Sequence, residues 1–222
     1  FKPTNRLREF HNWIKCILIS DVCRADIWMN LRVLDVGSGK GGDLLKFTGI
    51  GVAELYTIDI SPRAVEEAVE RYNQIKVRDL RLMPIVADAG AVRLAERVPD
   101  WPTGRFHAAT CQFALHYFFD CEAHALGVLQ NIADALMPGK RVVLSFPDAA
   151  KLLETLSWQQ QPGALGFGNA ISRVEFAERV PLIVDNHNRV CCPEPRLEFG
   201  CAYRFVLDGA VDADEFVVWP AT

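Results

Sequence analysis

The chain has 222 residues, of which 50% are hydrophobic and 23% are charged, a composition that indicates one folded domain with a sizeable core and excludes a disordered chain. Its formal net charge of −4 argues against broad coating of duplex nucleic acid, although a local basic pocket is still allowed. The 7 cysteines are odd in number and lack paired CxxC spacing, so neither a disulfide framework nor a metal site is expected.

These features also bear on location. Free cysteines in this pattern indicate a reducing, intracellular compartment. No apolar run approaches membrane-spanning length, and there is no secretory signal segment, so we expect no membrane partner. The first residue is Phe1 instead of methionine, so we expect a fragment of a longer chain.

The N-terminal segment predicts a helix over residues 4–22, because apolar residues recur at helical spacing: Leu7, Phe10, Ile14, Ile17 and Leu18. We expect this face to pack on the core. His11, Asn12 and Lys15 lie within about one turn of each other and can point at one neighbour. A solvated polar face would have the same pattern.

A short apolar run over residues 33–36 contains Asp35 and leads into a glycine-rich turn. Such a run predicts a buried strand that delivers its backbone to a ligand, with glycines allowing close approach. Asp35 stands where an anion-binding loop prefers apolar packing, which favours a cationic or amine-bearing ligand. Lys40 in this turn is not followed by Ser or Thr, so the phosphate-loop pattern fails.

A second apolar run ends in Asp59, at the place where a βαβ unit holds ribose hydroxyls. A ligand with an amino-acid end and a ribose fits both Asp35 and Asp59. S-adenosylmethionine has both parts. A nicotinamide dinucleotide, or a turn with no ligand, are the alternatives at this point.

Strands and helices then alternate up to residue 146. Helices are expected to begin at residue 43, to cover 62–73 and to cover 120–137, with strands at 55–59, 82–87, 106–113 and 141–146. This alternation predicts an α/β fold with a mostly parallel sheet and helices on both faces. Polar or turn residues follow the strands at one sheet edge, where ligands bind: Asp35, Asp59, Asp88, Gln112 and Pro147.

The pattern changes from residue 148. A short helix over 151–156 and a loop over 159–168 come first. Strands at 171–176, 203–207 and 215–219 are expected to be antiparallel, and the polar, proline-bearing segment 184–195 is expected to be an exposed loop. This part is predicted to be an elaboration that covers a substrate.

Five motifs occur in chain order: LREFHNWIK (7–15), LDVGSGKGGDLLKF (34–47), CQFALHYFF (111–119), FGN (167–169) and GCAYRFVLDGAVDADEFVVWP (200–220). With them the chain resembles, over nearly its whole length, the messenger-RNA cap guanosine-N7 methyltransferases of eukaryotes and large DNA viruses. The resemblance implies the class I S-adenosylmethionine-dependent methyltransferase fold, a Rossmann-like, mostly parallel, doubly wound sheet with a β-rich elaboration in the C-terminal third. A single domain over 1–222 would comprise an N-terminal helical segment (1–30), a cofactor-binding core (31–147) and a substrate-covering part (148–222).

The resemblance also implies an activity. The enzyme would transfer the methyl group of S-adenosylmethionine to N7 of the terminal guanosine of the mRNA 5′ cap, leaving S-adenosylhomocysteine. Direct in-line displacement needs no general base, because guanine N7 carries a lone pair and no proton. Implied partners are the capped 5′ end of mRNA and other capping enzymes, fused or separate, in the nucleus or at a viral or cytoplasmic site of capping. The alternatives are the same fold acting on a small molecule or another RNA position, and a catalytically silent cap-binding or regulatory subunit.

Two residue sets follow from the resemblance. The cofactor set is Lys15, Asp35, Gly37, Gly39, Asp43, Asp59, Asp88, Gln112 and Tyr117. Lys15 would meet the methionine carboxylate, Asp59 the ribose hydroxyls and Asp88 the adenine amino group. The cap set is His11, Asn12, Lys40, Lys46, Arg71, His116, Pro147 and Glu215.

Within the cap set, the three cations would rise from one edge and hold the triphosphate. His116 would donate to guanine O6, and Glu215 would accept from the guanine N1 and amino protons. The sequence departs from the family pattern at several places: Ser38 replaces the usual Cys of the glycine loop, residues 177–199 form a longer connection than expected, and three departures bear on the cap set. His11 replaces the usual Asn, Asp148 brings a negative charge towards the expected phosphates, and the chain ends at Thr222, before the late aromatic residue that closes the guanine pocket.

Overall fold

The computed structural model describes residues 4–23, 30–75, 79–158, 164–187 and 189–219. The chain divides into two compact units, which are described separately. The parallel-sheet unit comprises residues 10–115 and 123–145, and the antiparallel unit comprises the described residues of 1–9, 116–122 and 146–222. Within the described ranges, no helix combines the length and the apolar character that crossing a membrane requires.

The parallel-sheet unit alternates strands and helices as predicted. Its elements are α1 (Thr4–Cys23, whose first turns belong to the other unit), β1 (Leu31–Val36), α2 (Leu44–Gly49), β2 (Val52–Asp59), α3 (Pro62–Gln74), β3 (Arg81–Val86), α4 (Leu94–Arg97), β4 (Phe106–Gln112), α5 (Glu122–Ala135) and β5 (Leu136–Ser145). The strands are ordered β3-β2-β1-β4-β5, and every neighbouring pair is parallel. The predicted α/β fold is confirmed in the described residues, and the strand ends that bear Asp59 and Gln112 share one edge of the sheet.

Local sequence explains where α3 begins. The Ser61 side chain accepts a hydrogen bond from the Ala64 amide at 3.3 Å, and Pro62 occupies the first helical position. One core of the parallel-sheet unit is formed by buried apolar residues of β1, β2 and α2 together with the end of α1. Burial of these side chains fixes the sheet that carries the glycine turn.

The face of α1 that packs is not the predicted one. Phe10 and Ile17 were expected to be buried, but they are 54% and 48% exposed. The buried residues are Ile19, Val22 and Cys23, near the end of the helix. Spacing identified a helix but not the side that meets the core, because that choice depends on the neighbouring elements.

The segment between β4 and β5 also differs from the prediction. A 3-10 helix over Leu115–Asp120 comes first, and α5 then runs over Glu122–Ala135. Strand β5 begins at Leu136, so Pro138 and Gly139 lie within it and do not end the helix. Gly139 has a φ of 77°, which glycine adopts without strain.

The antiparallel unit contains α6 (Ala149–Ser157), β6 (Gly166–Gly168), β7 (Ser172–Phe176), β8 (Ile183–Val184), β9 (Val190–Cys191), a 3-10 helix (Pro195–Leu197), β10 (Ala202–Leu207) and β11 (Val211–Phe216). Four of these strands form an antiparallel sheet in the order β11-β10-β7-β6, and β8 pairs with β9. The predicted strands at 171–176 and 203–207 are confirmed within one residue.

Three predictions for this unit are wrong in part. The last strand ends at Phe216, whereas it was expected to run to residue 219. The expected loop over 184–195 contains the β8–β9 pair and a buried Val190. Residues 166–168 of the expected loop form β6, and residues 159–163 of that loop lie outside the described residues.

Candidate functional site

The glycine turn after β1 is tied to the end of β2. The amides of Gly37 and Ser38 both donate to the Ile58 carbonyl, at 2.8 and 3.0 Å. Gly37 has a φ of 68°, and a Cβ on it would lie 2.3 Å from the Ala114 Cβ. Both facts require glycine at this position.

Asp59, at the end of β2, holds the same turn from its side chain. One carboxylate oxygen accepts from the Gly39 amide at 2.7 Å, and the other accepts from the Ser61 amide at 2.9 Å. Because a carboxylate offers roughly four lone-pair sites, two remain for hydroxyl donors of a ligand. Beside Gly39, a Cβ would meet nothing within 4 Å, so the turn leaves open space there.

Asp35 is a buried carboxyl in β1, and its side chain is hydrogen-bonded to β4, which lies beside β1 in the sheet. It is 4% exposed, and the Thr110 hydroxyl donates to it at 2.6 Å. Burial raises the pKa of Asp35 to about 7. The hydrogen bond from Thr110 lowers this pKa by less than burial raises it, and smaller contributions come from Asp43 and Asp59, which raise it, and from Lys15, which lowers it. A cationic group placed against Asp35 would favour its ionised form.

Asp43, just before α2, forms ion pairs with one lysine of the predicted cofactor set and one of the predicted cap set. Lys15 Nζ lies 2.9 Å from its carboxylate and Lys46 Nζ lies 2.6 Å from it. Lys46 also donates to the Asn12 side-chain oxygen at 3.1 Å. His11 contacts Phe113, with 4.8 Å between ring centroids, and burial followed by the charge of Lys15 lowers the pKa of His11.

Two polar residues lie where neighbouring strands end: Asp88 comes two residues after β3, and Gln112 is the last residue of β4. The side chain of Asp88 accepts from the amides of Gly90 at 2.9 Å and Ala91 at 3.2 Å, in both cases with the same oxygen, Oδ1. The Gln112 oxygen accepts from the Ser145 hydroxyl at 3.0 Å, and its amide nitrogen donates to the Val143 carbonyl at 3.4 Å. The backbone that follows Asp88 therefore orients its side chain, and strand β5 orients that of Gln112.

The three cations predicted to hold the triphosphate differ in exposure and in pairing. Lys40 is 60% exposed and pairs with Glu67 of α3 at 2.9 Å, and Arg71 is exposed in the last turn of that helix. Lys46 is only 10% exposed and is paired with Asp43. A largely buried cation costs free energy unless it is paired, which explains why Lys46 turns to a carboxylate.

In the antiparallel unit, His116 and Glu215 lie side by side and are almost fully buried, at 3% and 5% exposure. Nε2 of His116 is 3.4 Å from Oε1 of Glu215. The Tyr203 hydroxyl donates to Oε2 of Glu215 at 2.7 Å, and the Tyr117 hydroxyl donates to Oε1 at 3.4 Å. Burial and the adjacent Glu215 raise the pKa of Tyr117 to about 12 and raise that of Tyr203, so both stay donors.

The imidazole of His116 is unsatisfied. In the described part of the chain, neither Nδ1 nor Nε2 has a hydrogen-bond partner. Buried polar groups are nearly always hydrogen-bonded, so an orphaned imidazole beside an oriented carboxylate fits a ligand that offers both an acceptor and donors. An amide-like edge of a purine has that pattern.

Two other residues of this unit have local roles. Asp148 caps α6, accepting from the Lys151 amide at 3.2 Å, so its negative charge has a structural use that the sequence analysis did not foresee. Pro147 precedes this cap and is half-buried.

Two further residues that orient site carboxylates, Thr110 and Tyr203, were not predicted from the sequence. Thr110 is a buried hydroxyl in the otherwise apolar strand β4, a pattern that could have indicated a polar partner. Tyr203 pairs directly with Glu215 across β10 and β11. The turn residues Asp208 and Gly209 could have predicted that register. Cys111 of strand β4 is fully buried, and this burial raises the pKa of its thiol to about 12, which fits a packing role.

The chain is similar to known proteins over nearly its whole length. Residues 2–222 match the family model described as the mRNA (guanine-N(7))-methyltransferase domain. The chain is 34% identical over 226 residues to the mRNA cap guanine-N(7) methyltransferase of Drosophila melanogaster, covering 96% of this chain and 49% of that relative. It is 33% identical to the protein of the same name from Candida glabrata, covering 97% and 50%.

This chain therefore spans about half the length of the curated relatives it matches. Among solved structures, it is similar to an S-adenosylmethionine-dependent methyltransferase from Clostridium acetobutylicum, with a TM-score of 0.55 and 13% identity over 90% of this chain and 71% of that one. This similarity confirms the predicted class I methyltransferase fold. On the family match and the identities to curated relatives, the chain belongs to the mRNA (guanine-N(7))-methyltransferase family.

Proposed function

We propose that this chain transfers the methyl group of S-adenosylmethionine to N7 of the guanosine that caps mRNA. The observation that carries the proposal is the buried His116–Glu215 pair, held by two tyrosines, in a chain of this family. The names of the relatives point to the same reaction. Residues 1–222 would act as one methyltransferase domain.

The proposed cofactor supplies a methyl group made electrophilic by a sulfonium. In the parallel-sheet unit, the acids Asp35 and Asp43 suit the cationic methionine end, and Lys15 suits its carboxylate. Asp59 retains lone pairs for the ribose hydroxyls, and Asp88 retains Oδ2 for the adenine amino group. The positions at which backbone or further side chains would contact the cofactor are Gly37, Gly39, Gln112 and Tyr117.

For guanine, we propose a donor and acceptor pair in the antiparallel unit. His116 would donate to O6, and Glu215 would accept from the N1 and amino protons. Adenine has a donor where guanine has O6 and lacks the N1 proton, so both buried groups would stay unpaired with it. Loss of such paired groups gives discrimination of roughly 10⁴–10⁵-fold in sites built to hydrogen-bond their substrate.

The rest of the cap set is proposed to contact the triphosphate and the faces of the bases. Lys40 and Arg71 are exposed cations suited to phosphate oxygens. Lys46, linked to Asn12, would act from its ion pair with Asp43. His11 and Pro147 would offer flat surface.

No residue needs to act as an acid or a base. Guanine N7 attacks with its own lone pair, and no proton is lost from it in the reaction. The contribution of the protein is to hold the guanine and the methyl donor in line, and alignment of this kind can supply roughly 7–11 kcal/mol. Fixed carboxylates also favour the positive charge that moves towards the purine.

Capped mRNA is the proposed partner, and the nucleus or another site of cap formation is the proposed location. The alternative is a methyltransferase of this fold that acts on a small molecule or at another RNA position. A substrate comparison separates them: GpppG-ended RNA should be a far better substrate than free nucleosides. Equal rates for the two would favour the alternative.

The test of guanine recognition uses His116→Ala and Glu215→Ala. We expect both variants to lose most methyl transfer to GpppG-ended RNA while calorimetry shows S-adenosylhomocysteine binding close to that of the unaltered protein. Glu175→Ala, an exposed acid on β7 of the same unit, is the control and should retain turnover. Near-normal turnover in both site variants would refute the proposed guanine contacts.

A further inference from the structure

The segment that follows β3 is held by a buried amide of helix α5. Asn131 is 4% exposed, and both its side-chain nitrogen and its side-chain oxygen form hydrogen bonds with this segment. Its Nδ2 donates to the carbonyls of Ala89 at 2.8 Å and Val92 at 2.7 Å, and its Oδ1 accepts from the Leu94 amide at 3.0 Å. One side chain thus fixes three successive points of the backbone.

A second contact from α5 fixes the same segment. Gly127 lies one turn before Asn131, and a Cβ at Gly127 would lie 2.0 Å from the Gly90 carbonyl oxygen. The helix and the backbone of the segment therefore touch directly, which only glycine permits. All of these residues belong to the parallel-sheet unit.

The segment begins at Asp88, whose geometry depends on it. Asp88 Oδ1 accepts from the amides of Gly90 and Ala91, and these two residues lie between the carbonyls that Asn131 holds. No hydrogen bond of Oδ2 is found among the described residues. The backbone that Asn131 fixes thus determines where the second oxygen points.

We propose that Asn131 is a positioning residue for cofactor recognition: it holds residues 88–94 so that Asp88 Oδ2 can accept from the adenine amino group. This inference rests on the proposed function, and in particular on Asp88 as the adenine acceptor. An amide is required at this position. Aspartate would set oxygens against the carbonyls of Ala89 and Val92, and leucine would leave all three backbone groups unpaired.

The experiment compares two ligands that differ in the C6 substituent of the purine and, with it, in the proton on N1. S-adenosylhomocysteine carries the adenine amino group, and S-inosylhomocysteine has a carbonyl oxygen there. The unaltered protein should prefer the first by about 10-fold or more, since loss of a hydrogen bond to a charged group is worth roughly that factor. No S-adenosylhomocysteine binding, or no preference, would count against the proposed function itself.

Asn131→Leu should reduce this preference to about 2-fold or less. The affinity for S-adenosylhomocysteine should fall, while S-inosylhomocysteine should bind nearly as before. Gln130→Leu, an exposed neighbour on α5, is the matched control and should keep the preference. Asn131→Asp is the second variant if the leucine variant does not fold, because it retains the bond from the Leu94 amide. Adding Asn131→Leu to Asp88→Ala should not reduce the preference for S-adenosylhomocysteine below that of Asp88→Ala alone.

The ratio of the two affinities decides the inference. If the role of Asn131 were merely structural, its substitution would lower the affinities for both ligands equally and leave the ratio of the two affinities unchanged. An unchanged ratio in a folded Asn131 variant, with normal preference in the unaltered protein, would overturn the positioning role without touching the proposed function.

Discussion

Replacing Asp35 by Asn should stabilise the ligand-free protein at alkaline pH. The carboxyl of Asp35 is buried, and its pKa is raised to about 7 from an ordinary value of 3.8. Between these two values the folded state keeps the proton while the unfolded state loses it. The free energy of unfolding therefore falls as the pH rises through this window and stays low above it.

The magnitude follows from the size of the shift. One pKa unit corresponds to about 1.4 kcal/mol, so the full window is worth about 4 kcal/mol as an upper bound. Between pH 5 and pH 8 the contribution of this group changes by about 2–3 kcal/mol. An Asn amide retains an acceptor for the Thr110 hydroxyl and does not titrate.

The assay is urea unfolding of the ligand-free protein in the presence of a reductant, at pH 5 and pH 8. The difference in the free energy of unfolding between Asp35→Asn and the unaltered protein should grow by about 2–3 kcal/mol from the lower to the higher pH. Asp88→Asn controls for the loss of one acidic side chain from the same sheet edge. A difference for Asp35→Asn that is independent of pH would refute the account of its burial.

Three further predictions concern the contacts. Tyr203→Phe should lower turnover on capped RNA about 10–100-fold with S-adenosylhomocysteine affinity unchanged, because the guanine-binding carboxylate loses a charge-assisted donor. Gly37→Ala should lower the melting temperature and abolish calorimetric cofactor binding, whereas Gly39→Ala, with open space at its Cβ, should cost only about 1–2 kcal/mol of unfolding free energy. Asp43→Asn should destabilise the protein by about 1–3 kcal/mol in urea unfolding, since it leaves Lys15 and Lys46 unneutralised.

Each of these has a contrary outcome. Equal effects of Tyr203→Phe on turnover and on cofactor affinity would show that the hydroxyl does not act through Glu215. Similar losses for the two glycine variants would show that backbone strain, and not the clash with Ala114, decides the position. A stable Asp43→Asn variant would show that the two lysines are hydrated when unpaired.

The parallel sheet could be predicted because its signal is local. Each buried strand is a short apolar run, and the runs alternate with helical patterns. The packing face of α1 could not be predicted, since Phe10 and Ile17 have the same spacing as core residues and only the tertiary neighbours leave them exposed. Pairing of Lys46 with Asp43 is likewise a tertiary choice, although the two residues are three apart.

The last strand shows a second limit of the sequence. β11 bears Asp212 and Asp214 on its exposed face, which weakened its strand pattern. Arg204 of β10 pairs with both acids, at 2.8 and 3.1 Å, and makes these charges compatible with a sheet. Resemblance supplied the identities of the site residues. The hydrogen bonds that orient them, such as Tyr203 to Glu215, required coordinates.

The most direct test of the account is the identity of the methylated nucleoside. GpppG-ended RNA is incubated with the protein and S-adenosylmethionine labelled in its methyl group, and the product is digested to nucleosides. The label is expected in 7-methylguanosine derived from the cap. Label at another position of the RNA, or none on the RNA while a small molecule is methylated, would contradict it.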